Sequence, residues 1–420
     1  MRIAVFEDLP SGGARRTAHE VLSRLKGRHR LVLFSLSTSN RDFCDLAPFV
    51  SEHHTFPFEP YRLFRSPFGR LNQVQRVRSL RKLVSLGKQI AARVDRGGFD
   101  AVFSFPCMWT QAPLFLTYVK TPSLYFCPEV PRPLYEEPWR PEDRARGYRA
   151  FLDSVDPFRS FFLRSARALD AAATRAATLV VANSHFSADA IRRTYGVSPE
   201  VWYHGVDPGR FCATGSPREA YVLSVGAIHP RKGFDFLIRV LGLLPPHLRP
   251  PLVLVGDSES PGEAHRLAEL AKENEVRLTI EVAVPDSRLI EHYRKARLML
   301  YSPHLEPLGL APLEAMACGL AVLGVNEGGV RETVVDGVTG RRLPRDPAVF
   351  AAALTELLQD PGILDQWGER GRAEVEQKWT WDGPVERIEA LLQSLSMHGK
   401  ARVGASAGNN AGLSRRHERV

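Results

Sequence analysis

Short apolar runs punctuate this chain, and most of them are followed by a glycine-bearing turn and a stretch of helical periodicity. Arg2–Phe6 reads as a buried strand, Leu9-Pro-Ser-Gly12-Gly13-Ala14 as the turn after it, and Arg15–Leu25 as a helix. Leu31–Phe34, Asp100–Phe103, Leu124–Cys127 and Thr178–Ala182 continue the series. It restarts at Tyr221–Val225 with Gly226, then passes through Leu252–Val255, Val276–Val282, Leu298–Tyr301, Ala321–Val325 and Val338–Leu343. Runs this short and this uniformly apolar suit strands covered on both faces, which is the condition of a parallel sheet flanked by helices. Strand, turn, helix, strand is the opening of a doubly wound α/β domain. A chain of 420 residues is long for one such core, so two are expected. The first would span 1–211 and the second 220–377, with the Gly-, Ser- and Pro-bearing stretch 212–219 as linker. A last helix would fill 378–396, and the Gly-, Ala-, Asn- and Arg-rich tail 397–420 would be disordered. Ligands of such sheets bind at the carboxyl ends of the strands, so two of them in sequence predict a central cleft.

The chemistry of that cleft is written most densely between Tyr301 and Gly319. The strand Leu298–Tyr301 should end at Ser302-Pro303, and a helix should begin near Gly309–Leu310 and stop at Gly319. Glu306 would lie in the loop before that helix and Glu314 inside it, eight residues later. The backbone N–H groups of Leu308, Gly309 and Leu310 would be free at the helix start, a ready site for phosphate. Carboxylates beside it are poor phosphate ligands but good acceptors from hydroxyls. A ligand with phosphates in its middle and hydroxyl-rich rings at both ends, a nucleotide sugar, matches that layout. The bare spacing of two glutamates also suits one solvated and one helix-face carboxylate. No other motif offers metal ligands at useful spacing, so neither a metal nor any other cofactor is expected.

The remaining composition narrows the setting. No run of about 18 apolar residues exists, so no transmembrane helix is read. Met1–Asp8 enters a strand directly rather than forming a signal peptide, and a non-secreted protein is expected. Five scattered cysteines (Cys44, Cys107, Cys127, Cys212 and Cys318) without a C-x-x-C suit a reducing cytoplasm. Of the net charge of +9, four units sit in the tail after Met397, and no nucleic-acid-binding signature accompanies the rest, so no nucleic-acid partner is expected. Residues Arg70–Arg96 form a basic amphipathic pattern, with Arg62, Arg65, Phe64 and Phe68 just before it. Such a helix ordinarily presents a solvated charged face; it can also rest peripherally on the anionic inner face of a membrane.

The string Glu306-Pro-Leu-Gly-Leu-Ala-Pro-Leu-Glu314-Ala-Met-Ala-Cys-Gly resembles the E-P-F-G-L-x-x-L-E-A-M-A-x-G signature of retaining GT-B glycosyltransferases of family four, with Leu308 at the usual Phe. Gly12-Gly13-Ala14, Asn183-Ser-His185-Phe, His204-Gly-Val-Asp207 and Asn326-Glu-Gly328-Gly329-Val-Arg331-Glu332 resemble further motifs of that family. The resemblance implies a GT-B fold: α/β, two Rossmann-like doubly wound domains facing a central cleft, with the last helix crossing back onto the first. It implies transfer of a hexosyl group from a UDP- or GDP-linked sugar to a glycan, lipid-linked or small-molecule acceptor with retention. By the same resemblance Glu306 would hold the sugar hydroxyls and Glu314 the ribose. Lys232, with Arg231, would hold the diphosphate, and Gly12, Gly13 and Gly226 would let backbone approach it. Glu306 and Lys232 are thus the candidate catalytic residues.

The chain departs from the family pattern at three further places. Pro128 stands where relatives carry a histidine, Ala227 where they carry an arginine, and His204 where they carry an asparagine. These departures keep two alternatives in view: a non-catalytic nucleotide-sugar-binding partner subunit, and a sugar-nucleotide epimerase on the same fold.

Overall fold

The structure, a computed structural model, describes residues 1–64, 71–136, 156–215 and 217–397. The expectations for Arg65, Phe68, Arg70 and the tail 398–420 lie outside the described residues. Two wholly parallel sheets organise the molecule. The first contains β1 (Arg2–Asp8), β2 (Arg30–Leu36), β3 (Glu52–Phe56), β4 (Ala101–Cys107), β5 (Ser123–Phe126), β6 (Leu179–Ala182) and β7 (Glu200–Val201). Its order is β3-β2-β1-β4-β5-β6-β7, reversing direction between β1 and β4. The second contains β8 (Val222–Val225), β9 (Leu252–Gly256), β10 (Leu278–Val282), β11 (Leu298–Tyr301), β12 (Val322–Val325) and β13 (Gly340–Leu343). Its order, β10-β9-β8-β11-β12-β13, reverses between β8 and β11. These reversals place the turns after β1, β8 and β11 at the crevices where such sheets take ligands.

The strands are buried on both faces, as their apolar runs predict: β4, β5, β11 and β12 have no residue outside the buried class. The four edge strands, β3, β7, β10 and β13, are the exceptions. The sequence of β3, Glu-His-His-Thr-Phe, has no apolar run because it lies at the sheet edge, half covered, and the periodicity argument passes over it.

The chain leaves the first domain at Tyr203–Phe211 and returns at Trp379–Trp381. At that point the two crossings touch: Val206 N donates to Trp379 O at 2.7 Å. A Cβ on Gly205 would stand 2.6 Å from the Thr380 carbonyl carbon, so only glycine permits this approach. The helix Pro361–Lys378 ends before the crossing, and the last helix begins at 382 and is described to 397. Trp381, Val385, Ile388 and Leu392 then join the core of the first domain, beside Ile3, Val5, Leu22 and Trp202.

Candidate functional site

Between the two sheets lies a cleft of about 500 Å³, and every site residue expected from the sequence lines it: Gly12 and Gly13 from the first domain, and Gly226, Arg231, Lys232, Glu306, Leu308, Gly309, Leu310 and Glu314 from the second. Lys232 ends a short 3-10 turn, Pro230–Lys232, whose start is capped by His229 accepting from Arg231 N at 3.1 Å. Gly233 follows at φ +67°, and a Cβ there would meet Ser302 O at 2.2 Å. That close approach seats the turn against the end of β11. Lys232 Nζ then donates to both carboxylate oxygens of Glu306, at 3.0 and 2.9 Å.

The loop carrying Glu306 is held through its main chain. Gly329 N donates to Glu306 O at 2.7 Å, Arg345 reaches Ser302 O and Pro303 O, and Arg132 of the first domain reaches His304 O and Leu305 O. The Ser184 hydroxyl donates to Pro307 O from the other domain. Beyond the loop, the helix Leu310–Ala317 starts after Gly309 with no side chain capping it. Its first residues line the cleft, so its unpaired amides and positive dipole end face the open space. One turn further in, Glu314 is buried, and its Oε2 accepts from the Tyr293 hydroxyl at 2.9 Å. Burial, with this carboxylate adding to it, pushes the Tyr293 phenol well up, so it stays a donor. Glu314 Oε1 lies 3.9 Å from the Arg16 guanidinium.

The three further departures from the family pattern also line the cleft. No cation replaces Ala227 directly, but Arg231 reaches across to Glu129, beside Pro128, at 3.0 Å. His204 is buried among Phe126, Trp202 and Trp381. The Thr17 hydroxyl donates to Gly13 O at 2.9 Å, so it accepts from His204 Nδ1 at 3.2 Å, which assigns the Nδ1–H tautomer. His204 Nε2 is buried without a hydrogen-bond partner. Burial pulls this imidazole down to about 3, so the folded protein refuses a proton that the unfolded chain accepts near 6.5. Stability should therefore be lost as pH falls from 6.5 towards 3. Between about pH 7 and pH 4.5 the His204 contribution is roughly 2–3 kcal/mol. His204→Asn should remove that part of the acid sensitivity, measured as urea midpoints at the two pH values.

Two further contacts join the domains. Arg16, one turn into the helix Gly13–Leu25, donates to Asp286 across the cleft at 2.9 Å. Glu332, legible only as the end of a glycine-rich turn, accepts from the amides of His185 and Phe186, both at 2.9 Å, and from the Tyr203 hydroxyl at 2.7 Å. A carboxylate of the second domain thus joins Ser184, the N-cap, in satisfying the start of the first domain's helix His185–Tyr195. Among the described residues no three His, Cys, Asp or Glu side chains converge as a metal-binding group.

Comparison with known proteins fits this geometry. The family model "Glycosyltransferase Family 4" matches residues 11–210, and "Glycosyl transferases group 1" matches 213–374. A D-inositol 3-phosphate glycosyltransferase of Streptomyces bingchenggensis is 33% identical over 231 residues, covering 49% of this chain and 50% of that protein. Its counterpart in Thermobispora bispora is 34% identical over 206 residues, covering 46% and 48%. The chain thus spans about half the length of these curated relatives. Among solved structures, the sucrose-phosphate synthase of Thermosynechococcus elongatus superposes with a TM-score of 0.70 at 20% identity, covering 94% of this chain and 98% of that one. HepE of Anabaena, solved in complex with UDP-glucose, gives 0.67 at 20% identity, covering 94% and 100%. With both halves matched in order and both sheets of the expected kind, this chain belongs to the GT-B glycosyltransferases of the group 1 and family 4 type.

Proposed function

We propose that this protein transfers a hexosyl group from a nucleotide-diphosphate sugar to an acceptor hydroxyl with retention of configuration. The observation that carries the reading is the Lys232–Glu306 pair beside the uncapped start of the helix that holds Glu314. A diphosphate leaving group gains negative charge as the glycosidic bond breaks. Lys232, Arg231 and the amides around Leu308, Gly309 and Leu310 are the groups that meet this charge, each losing less to solvent in a cleft than in water. Glu306 accepts from the sugar hydroxyls once Lys232 turns to phosphate, and Glu314 Oε1 accepts from the ribose. This reading assigns the leaving-group charge to the protein's own cations, so undiminished transfer in excess chelator is the expected result.

UDP is the favoured nucleotide because HepE, which shares this fold, was solved with UDP and with UDP-glucose; GDP is the alternative. The name of the curated relatives places a phosphorylated cyclitol among the acceptors worth testing, beside glycans and lipid-linked sugars. A reducing, cytoplasmic setting belongs to the same proposal, supported by five thiols of which none is paired.

Thermal shift and nucleotide release with a panel of UDP- and GDP-sugars test the reading. Stabilisation by one donor with slow nucleotide release supports a transferase and names the sugar. Stabilisation without turnover, whatever the acceptor, favours the non-catalytic partner reading that Pro128 and Ala227 suggest. No response to any donor overturns the nucleotide-sugar site.

A further inference from the structure

Every large apolar side chain that the described part of the first domain leaves exposed lies at one edge of its sheet. Tyr61, Leu63 and Phe64 follow β3, and Leu71 precedes the helix Asn72–Arg96. Met108 and Trp109 follow β4 directly, and Phe158 and Phe161 occupy the first turns of the helix Pro157–Ala176. In a parallel sheet the connecting helices run against the strands, so these helix starts and strand ends share the carboxyl edge. That is also the edge on which the cleft opens.

These segments form one continuous face. Tyr61 N donates to Ser79 Oγ at 3.0 Å, and the Asn72 side chain exchanges hydrogen bonds with the Phe64 backbone at 2.6 and 3.1 Å. Trp109 packs edge-on against Phe58 with ring centroids 5.3 Å apart. The Arg76 guanidinium stands 5.7 Å from the ring of Phe162, which ties the two helices together.

Among the described residues the charge on this face is predominantly positive. Arg76, Arg78, Arg81 and Lys82 are all exposed in the first half of the helix Asn72–Arg96, which has no acidic residue before Asp95. Arg62 and Arg164 flank them, against Glu59 and Asp156, and Asp156 is engaged as the N-cap of its helix. Arg78 lies 4.5 Å over the Tyr61 ring and Lys82 5.7 Å over the Phe58 ring, so cations and aromatics are interleaved. A second copy of the chain would set this positive face against another across a two-fold axis, which like charges oppose. An anionic bilayer satisfies both components: its headgroups meet the cations and its interfacial zone takes up the aromatic and aliphatic side chains.

We propose that this edge of the first domain docks on an anionic membrane surface and brings the cleft to an acceptor carried in the bilayer. The acceptor half of this statement rests on the transferase reading; the docking half does not. No described helix is long and apolar enough to cross a membrane, so the contact is peripheral.

The test is co-sedimentation of the full chain with phosphatidylglycerol–phosphatidylcholine vesicles and with phosphatidylcholine vesicles, at low and high salt. The expected result is partitioning at least about tenfold stronger onto the anionic vesicles, weakened by salt. The combined charge reversal Arg76→Glu, Arg78→Glu and Arg81→Glu should abolish that preference, and Phe158→Ser with Phe161→Ser should weaken binding at unchanged charge. Donor-induced thermal shift, read on the same samples, should be the same in all three proteins. It shows that the variants are folded and reports on the donor site independently of docking. Wild-type protein that ignores anionic vesicles, or variants that bind as the wild type does, would overturn the proposal. So would sedimentation velocity showing a dimer that the charge reversal converts to monomer, which assigns the face to a second copy.

Discussion

Glu306→Ala is expected to lower turnover by a hundredfold or more while the melting temperature moves by only a few degrees. The loop around Glu306 is anchored by main-chain bonds to Gly329, Arg132 and Ser184, none of which uses the carboxylate. The side chain's partner is Lys232, and both are partly open to the cleft, at 20% and 25% exposure. A pair this wet contributes little to stability. On the proposed reading its value lies in what each member does for the bound donor. Lys232→Ala should behave alike, because removing one charge-stabilising donor typically costs about 3 kcal/mol of transition-state stabilisation, more than a hundredfold in rate. The check is kcat with the donor identified by the panel, beside a melting curve of each variant. A Glu306→Ala protein that melts early yet keeps its specific activity would move this residue from the site to the scaffold.

The largest stability effect is expected at Arg15, on the other side of the cleft. Its Nη1 donates to Glu7 Oε2 at 2.8 Å and to Ser39 Oγ at 2.9 Å, and its Nε to Phe43 O at 3.0 Å. Both members of the ion pair are 2% exposed. Glu7 also accepts from Ser39 and from Leu9 N, so the turn after β1 and the loop that delivers Phe43 to the cleft converge on one buried pair. Burial raises the Glu7 carboxyl despite the arginine beside it, which shows how much desolvation the pairing must offset. Arg15→Met would leave that carboxylate without its counter-charge, at a cost of about 3–5 kcal/mol. For a domain of this size that is a fall in melting temperature on the order of 10 °C. The double variant Arg15→Met with Glu7→Leu should recover much of the loss, since no charge is then left alone. With Glu7→Leu alone completing the cycle, single-variant losses that simply add in the double variant would mean the pair is not coupled.

The fold was largely legible because short apolar runs such as Ala-Val-Phe-Ser-Phe at 101–105, set between turn residues, suit strands of a doubly covered sheet. The half-covered edge strand β3 carries no such run and was invisible for the same reason. The part of the cleft lining that runs from Glu306 to Glu314 was legible because its residues sit close together in sequence, before and within the helix Leu310–Ala317, where local spacing determines geometry. Contacts made across the cleft were not. Arg16 meets Asp286, Arg231 meets Glu129, and Glu332 meets the start of the helix His185–Tyr195. Each joins residues more than a hundred positions apart, and no local pattern encodes such a meeting. Nor did the sequence show that Lys232 and Glu306, read as ligands for different parts of one donor, would pair with each other.

The paired crossings at Gly205 and Thr380 have a mechanical consequence. Two bodies joined along one short seam have one soft degree of freedom, rotation about that seam, while sliding and twisting shear the backbone contact itself. Away from the seam the bodies meet through polar groups such as Glu332, Arg231 and Arg16, whose partners water can replace when they part. A door hung this way swings at low cost and returns to the same register, so a leaving nucleotide and an entering one would meet the same frame.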